Sequence, residues 1–292
     1  MEVIMQSELW KKVYQYVDEI VQNKTIKRAK YSHSEIIITY LWAVINDRPV
    51  YWACKKKNWP ICYRKRKLPN PSTMTRRLRS TPIQKLLKEI ENTLVNKFPP
   101  SVCRWIDAKP LPIGGSSKDK QATFGYGASS ISKGYKLYAV ADLKQGFTNW
   151  LIRPMNNSEP KVARELVVKL ECQGYLVGDG EYDKNHLYDL AGSCNIQLIA
   201  PQRIRNAKGL GHRKHSSYRL RSMELQKRAF GKSLISARTI IERMFGNLVT
   251  FEGGLKPLPH WVRTLPRVEL WVRGKMILYH LWRYQRNATK SA

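Results

Sequence analysis

Acidic residues are scarce in this sequence. Its 292 residues include 22 Asp and Glu against 52 Lys and Arg, a formal net charge of +30, with a pI near 10.1. A surplus of that size points to a polyanionic partner, nucleic acid first, because clustered cations attract phosphate without supplying any chemistry. Long apolar runs are missing too. Nothing approaches the ~18–20 apolar residues of a membrane span, and the start Met1-Glu2 lacks a basic segment ahead of an apolar one, so no membrane partner and an intracellular location are expected. The five cysteines, Cys54, Cys62, Cys103, Cys172 and Cys194, form no Cys-x-x-Cys pair and have no histidines at zinc-finger spacing, which excludes that class of zinc site and leaves buried thiols as the reading. His212 and His215 sit in Arg- and Lys-rich sequence that repels added cations, and are read as facing phosphate. The Gly- and Ser-rich run Gly114 to Ser132 lacks the Gly-Lys-Ser/Thr ending of a phosphate-binding loop and is read as a mobile loop. No internal repeat is present.

What is present is an ordinary folding composition, 42% hydrophobic and 25% charged, with two kinds of periodicity. Residues 1–100 read as helical. Leu9, Val13, Val17 and Ile20 recur at helical spacing, Ser32 and Glu35 form a capping-box pattern ahead of Ile36 to Ile45, and Thr81-Pro82 introduces the apolar face Ile83, Leu86, Leu87, Ile90, Leu94. Between them, Lys55 to Arg79 carries ten Lys or Arg and no acid. There Pro69-Asn70-Pro71-Ser72 precedes Thr73 to Arg79, a candidate recognition helix of a helix-turn-helix-like DNA-binding domain, with Arg76, Arg77 and Arg79 toward DNA.

Asn96 to Pro100 breaks the helical pattern, and residues 101–292 are expected to form a second domain. Strands are predicted at Arg104 to Ala108, Tyr135 to Asp142 and Phe147 to Arg153. A helix at Pro160 to Gln173, a strand at Tyr175 to Asp179, a helix at Lys184 to Leu190 and a strand at Ile196 to Ala200 follow. This order is that of an α/β, ribonuclease-H-like mixed sheet with flanking helices, preceded by the helical DNA-binding domain. A basic stretch, about 203–232, interrupts it before the last core helix and reads as an insertion or loop lying on DNA. Val268 to Tyr284, rich in Trp and Tyr, reads as a helix packing onto the core.

In so basic a chain, an acid placed in or at the end of an apolar strand calls for a partner. Asp107, between Trp105, Ile106 and Ala108, is costly unless a partner or a metal neutralises it. Asp179 ends Leu176-Val177-Gly178 at a sheet edge, where sites commonly form. Glu242 lies on a helix whose apolar face is Ile241, Phe245 and Leu248, with Arg238 one turn before it. Glu181 and Asp183 rival Asp179 but read as the start of the next helix.

Ile106-Asp107-Ala108-Lys109-Pro110-Leu111-Pro112, Lys133-Gly134-Tyr135-Lys136-Leu137, Gly178-Asp179-Gly180-Glu181-Tyr182-Asp183 and Arg238-Thr239-Ile240-Ile241-Glu242-Arg243-Met244-Phe245-Gly246 together resemble the motifs of bacterial insertion-sequence transposases with a DDE triad, in the branch similar to eukaryotic Harbinger-type enzymes. The resemblance runs from about residue 104 to 282. It departs at Val249, where some relatives carry a Lys that Lys256 does not obviously replace. It implies metal-dependent DNA strand cleavage and strand transfer of an insertion sequence, through binding of its terminal inverted repeats, by a cytoplasmic, nucleoid-associated bacterial protein. Two Mg²⁺ or Mn²⁺ ions suit such hard oxygen ligands. Asp107 is expected to bridge both, Asp179 to bind one and Glu242 the other, while Arg238 orients Glu242 or touches a phosphate. Expected DNA contacts are Arg76, Arg77, Arg79, Lys109, Lys136, Arg203, Arg205, Arg213, Lys214 and Arg243, the partners being double-stranded transposon ends and target and a second copy of the chain. A nuclease of the same fold without strand transfer, and a catalytically inactive, domesticated DNA-binding protein, are the alternatives. A ribosomal or RNA-binding protein would match the charge but leave the three acids unexplained.

Overall fold

The computed structural model describes residues 2–21, 29–64, 67–127, 130–171, 173–202 and 215–290, with side chains described from residue 8 to 287. Cys172, Arg203, Arg205, His212, Arg213 and Lys214 therefore lie outside the described residues. The chain divides into two units, one of Met1–Lys97 with Asn247–Ala292 and one of Phe98–Gly246.

In the first unit, local signals start the helices. Helix α1 spans Glu2–Val21 and α2 His33–Ile45. Ser32 Oγ accepts from Glu35 N at 3.1 Å and the Glu35 carboxylate accepts from Ser32 N at 2.8 Å, the reciprocal capping box read from the sequence. Every residue from Ile36 to Ile45 is buried, which makes α2 the centre of its unit rather than an amphipathic surface helix. Helix α3 (Val50–Ala53) is one turn. Helix α4 (Pro71–Leu78) begins at Asn70, whose carboxamide oxygen accepts from Thr73 N at 2.8 Å, and is anchored by buried Met74 and Leu78. Its Arg76, and Arg79 just beyond it, are exposed, whereas Arg77 donates to the Tyr31 carbonyl at 3.2 Å. Helix α5 (Thr81–Val95) follows from Ser80, so Thr81 is its first residue and not its cap.

The second unit is a six-stranded sheet. Strands β1 (Cys103–Pro112), β2 (Thr123–Tyr126), β3 (Ile131–Asp142) and β4 (Gly146–Pro154) come first. Helix α6 (Glu159–Val167), β5 (Gly174–Val177), helix α7 (Asn185–Ser193) and β6 (Ile196–Ile199) follow, then helices α8 (Ser217–Lys227), α9 (Ala229–Ser236) and α10 (Thr239–Thr250). β3 pairs antiparallel with β1, β4 and β2, while β5 and β6 run parallel to β1. The resulting order β4-β3-β1-β5-β6 is the ribonuclease-H-like mixed sheet expected from the sequence. Ile106, Tyr138, Val140, Leu176 and Leu198 from the strands and Val162, Leu166, Leu187 and Ala191 from α6 and α7 make its core.

Two segments read as loops have structure. Within Gly114 to Ser132, β2 pairs with the start of β3. Asp119, buried, accepts from the Tyr135 hydroxyl at 2.8 Å and from Gln121 N at 3.0 Å, and Lys133 donates to the Ser117 carbonyl; one buried acid thus orders a run whose composition suggested mobility. Beyond residue 215, the basic stretch forms α8 and α9, and Gln226 of α8 donates to the Ala200 carbonyl at 2.9 Å. His215 faces the Arg219 guanidinium at 3.0 Å, not an open surface. Among the described cysteines, Cys62 is exposed and Cys54, Cys103 and Cys194 are half-buried, in place of the buried thiols expected.

Helix α11 (Leu265–Lys290) packs in the first unit against α1, α2 and α5. Tyr279 stacks on Trp282 and meets Phe251 edge-on. Its fully buried Lys275 donates to the carbonyls of Val44 and Gly253, both at 2.8 Å, and to Asp47. Lys256 pairs with the same Asp47 at 3.5 Å. Residues 247–292, expected in a domain running 101–292, are thus grouped with the amino-terminal helices.

Not every strand acid is a site. Asp142, fully buried at the end of β3, accepts from Ser101 N and Oγ, Lys144 N and Gln145 N at 2.7–3.1 Å, with Arg104 at 3.7 Å. Asp142→Ala strands these donors and a buried guanidinium, and is expected to destabilise the protein by about 3 kcal/mol or more; urea denaturation with a change below 1 kcal/mol would contradict this role.

Candidate active site

Register places the two aspartates. β1 and β5 are parallel neighbours with Trp105 opposite Val177. Two residues further along each chain come Asp107, within β1, and Asp179, just past the end of β5, and their carboxylate oxygens lie within 4.8 Å of each other. The approach after β5 requires glycine, since a Cβ at Gly178 would meet the Tyr182 ring at 2.7 Å and Ile106 Cγ2 at 3.1 Å. Asp179 then caps the 3-10 turn Gly180–Tyr182, accepting from Glu181 N at 2.8 Å, and Asp107 accepts from Ala108 N at 2.7 Å. Each aspartate is pinned by one backbone donor and keeps oxygen lone pairs unused by that bond.

A third carboxylate joins them that the sequence reading passed over. Carboxylate oxygens of Asp107, Asp179 and Glu159 all lie within 4.8 Å of one another. Glu159 is the first residue of α6, following Ser158. The reading began this helix at Pro160 and so left its leading acid in the loop; a Ser-Glu-Pro start, with an acid in the first turn, was the available signal. Lys136 of β3 reaches Glu159 at 3.1 Å, with both side chains largely covered. This ammonium, expected to contact DNA, is therefore engaged at the acidic cluster.

Glu242 lies in the first turn of α10, with an exposed side chain. It stands outside the group of three, yet its charge is felt at Asp107. Arg238 falls in the turn between α9 and α10, one residue before α10 begins, so the two are not successive turns of one continuous helix as expected. Arg243 is exposed beside Glu242. Lys109, two residues from Asp107 on the same strand, is half-buried, and burial lowers its pKa. Of the rivals for the second position, Asp183 is taken up by a bidentate pair with Arg219 of α8, both contacts at 2.7 Å. Glu181 sits in the 3-10 turn after Asp179.

Burial and mutual repulsion set the electrostatics. Desolvation pushes the Asp107 carboxyl up to about 7; the Ala108 hydrogen bond opposes this, and Asp179, Glu159 and Glu242 add to it. Glu159 is raised by burial, with Lys136 pulling the other way. The Tyr182 hydroxyl is fully buried beside these acids, its pKa raised by burial first and then by the charges of Glu159, Asp107 and Asp179; it lies against Glu159 without a well-formed hydrogen bond. A divalent cation suits this donor set: hard oxygens, partly dehydrated, whose repulsion an ion of two positive charges removes.

Metal-free stability should record that repulsion. Asp107 is protonated more readily folded than unfolded, since about 7 exceeds the ordinary aspartate value of 3.8, so its contribution to stability is lost as pH rises from about 4 to 7 and is flat above. Asp107→Asn carries no such dependence. In EDTA the variant is expected to be more stable than the parent, by on the order of 2 kcal/mol at pH 8 and less at pH 5, and added Mg²⁺ or Mn²⁺ is expected to raise the melting temperature of the parent but not of the variant. Equal stability of the two proteins at pH 8 would argue against a strained acid cluster.

Comparison with known proteins bears on the chemistry. A curated-protein search gives no match. Among solved structures, a piggyBac transposase synaptic complex with hairpin DNA, determined by cryo-electron microscopy, is similar with a TM-score of 0.46 and 9% identity, over 97% of this chain and 73% of that one. The family model of the transposase DDE domain matches residues 99–278. That span contains every strand of the sheet and all four acids around Asp107, and the chain belongs to the transposase DDE-domain family.

Proposed function

We propose that this chain is the transposase of a bacterial insertion sequence, in the branch similar to Harbinger-type enzymes, that binds terminal inverted repeats, cuts the DNA strands there and joins them to a target. The observation that carries the reading is the gathering of Asp107, Asp179 and Glu159, with carboxylate oxygens within 4.8 Å of one another, where the parallel strands β1 and β5 run side by side. In a chain of net charge +30, a cluster of acids opposes the general charge and has a local purpose.

Asp107, Asp179 and Glu242 would hold two Mg²⁺ or Mn²⁺ ions, Asp107 serving both. When bound, such a pair polarises the scissile phosphate and lowers the pKa of water or a 3′-hydroxyl. The protein's own groups fix the acceptor geometry: Ala108 N and Glu181 N each hold one oxygen of an aspartate. Burial around Asp107 limits water, and Arg238 and Arg243 flank Glu242, where a phosphate would sit. No side-chain nucleophile is needed. The exposed Arg76 and Arg79 on and beside α4 supply contacts to duplex DNA, α4 and α5 forming the helix-turn-helix-like pair. Two copies of the chain would bring the two transposon ends together.

Asp179→Asn should bind an end-repeat duplex as the parent does while cleavage falls at least 1000-fold in a nicking assay; retained cleavage removes Asp179 from the reaction. A strand-transfer assay with pre-cut ends separates a transposase, which joins, from a nuclease, which does not. Arg76→Ala and Arg79→Ala should each weaken binding and lower the slope of log affinity against log salt by about 1, whereas Arg77→Ala, whose guanidinium is bonded to the Tyr31 carbonyl, should leave that slope nearly unchanged.

A further inference from the structure

We infer that Glu159 is a metal ligand of this centre, sharing one ion with Asp107 and Asp179, and that Lys136 is the internal cation the ion displaces from it. The inference rests on the proposed reading that divalent metal binds here. It changes the division of labour: the ion held most firmly in the absence of DNA belongs to Asp107, Asp179 and Glu159, and Glu242 serves the other.

Four observations carry it. Oxygens of these three residues, and not of Glu242, lie within 4.8 Å of one another among the described residues. Glu159 opens α6, where a first-turn acid has open solvent available, yet its side chain is only 19% exposed and turned toward the aspartates. Lys136, 12% exposed, meets it at 3.1 Å; a largely covered ammonium against a three-acid cluster supplies one positive charge where the donor set calls for more. Finally, the fully buried Tyr182 hydroxyl lies against Glu159 but makes no well-formed hydrogen bond there, so a buried polar atom beside the cluster is left poorly satisfied, as a hydrated ion would remedy. A purely structural role for Glu159, as helix-starting acid paired with Lys136 and set against Tyr182, accounts for the last two observations but not for its approach to both aspartates.

The test measures metal directly, on the full chain without DNA, by calorimetric titration with Mn²⁺ and by the electron paramagnetic resonance signal of free Mn²⁺. Glu159→Gln is expected to weaken the tighter ion at least tenfold, Glu242→Gln to leave that ion within twofold of the parent, and Lys136→Met to tighten it by removing the competing ammonium. The Lys136 variant keeps every acid, so it speaks even where Glu159→Gln folds poorly by circular dichroism: a structural pair predicts lost stability and no gain in affinity. Affinity within twofold of the parent for folded Glu159→Gln, or loss of the tighter ion in Glu242→Gln instead, overturns the assignment. A parent chain that binds no Mn²⁺ overturns the metal reading itself, whereas loss of cleavage in Asp179→Asn with normal Mn²⁺ binding by the parent leaves it standing.

Discussion

Holding like charges together inside a folded chain is the constraint around which the catalytic unit is arranged. Two carboxylates with oxygens within 4.8 Å of each other repel by on the order of 3–4 kcal/mol at an effective dielectric of 20, and burial adds to the cost. The chain meets that cost with rigid elements. Asp107 stands on the central strand, whose neighbours β3 and β5 pair with it on either side, and Asp179 follows the adjacent parallel strand through a glycine no other residue can replace without a clash. Neither side chain can swing away from the other without breaking a backbone hydrogen bond to its own neighbour. Burial first, and then the charges of Asp179, Glu159 and Glu242, push the Asp107 carboxyl up to about 7.

Around this centre the remaining acids are divided by their partners. Asp142, Asp119 and Asp183 are more deeply buried than the half-buried Asp107 and Asp179, and hydroxyl and backbone N–H donors, or in the case of Asp183 a guanidinium, saturate them. They stabilise the strand ends and turns and have little capacity left for an ion. Asp107 and Asp179 each accept one backbone hydrogen bond, and their carboxylates face like charge. The distinction between a structural and a functional carboxylate in this sheet is therefore the number and kind of donors it faces, with the less saturated acids also the less deeply buried.

The basic residues divide in the same way. Arg77, Arg104, Lys136, Arg219 and Lys275 are directed to backbone carbonyls or acids, while Arg76, Arg79 and Arg243 are exposed. A count of +30 overstates the charge free to meet phosphate, because part of it is internal scaffolding. Lys275 shows the extreme: a fully buried ammonium whose three donors bind two carbonyls and Asp47, tying α11 to the end of α2 and to the turn at Gly253.

Local chemistry alone determined much of this protein. The capping box at Ser32, the start of α4 at Asn70-Pro71, the strand character around Asp107 and Asp179, and the order of strands and helices were legible because caps, periodicity and turn residues act over three or four positions. The motifs around the acids likewise led to the family that the match over residues 99–278 establishes. Tertiary structure decided the rest. That Glu159 meets the aspartates, that Lys136 is drawn into the cluster, that Arg219 closes on Asp183 and that residues 247–292 pack with the first helices depend on contacts between elements far apart in sequence. Strand register and loop closure set those contacts, and no window of neighbouring residues contains them. Even the ordering of the Gly- and Ser-rich run turned on one such contact, between Asp119 and Tyr135, which composition cannot show.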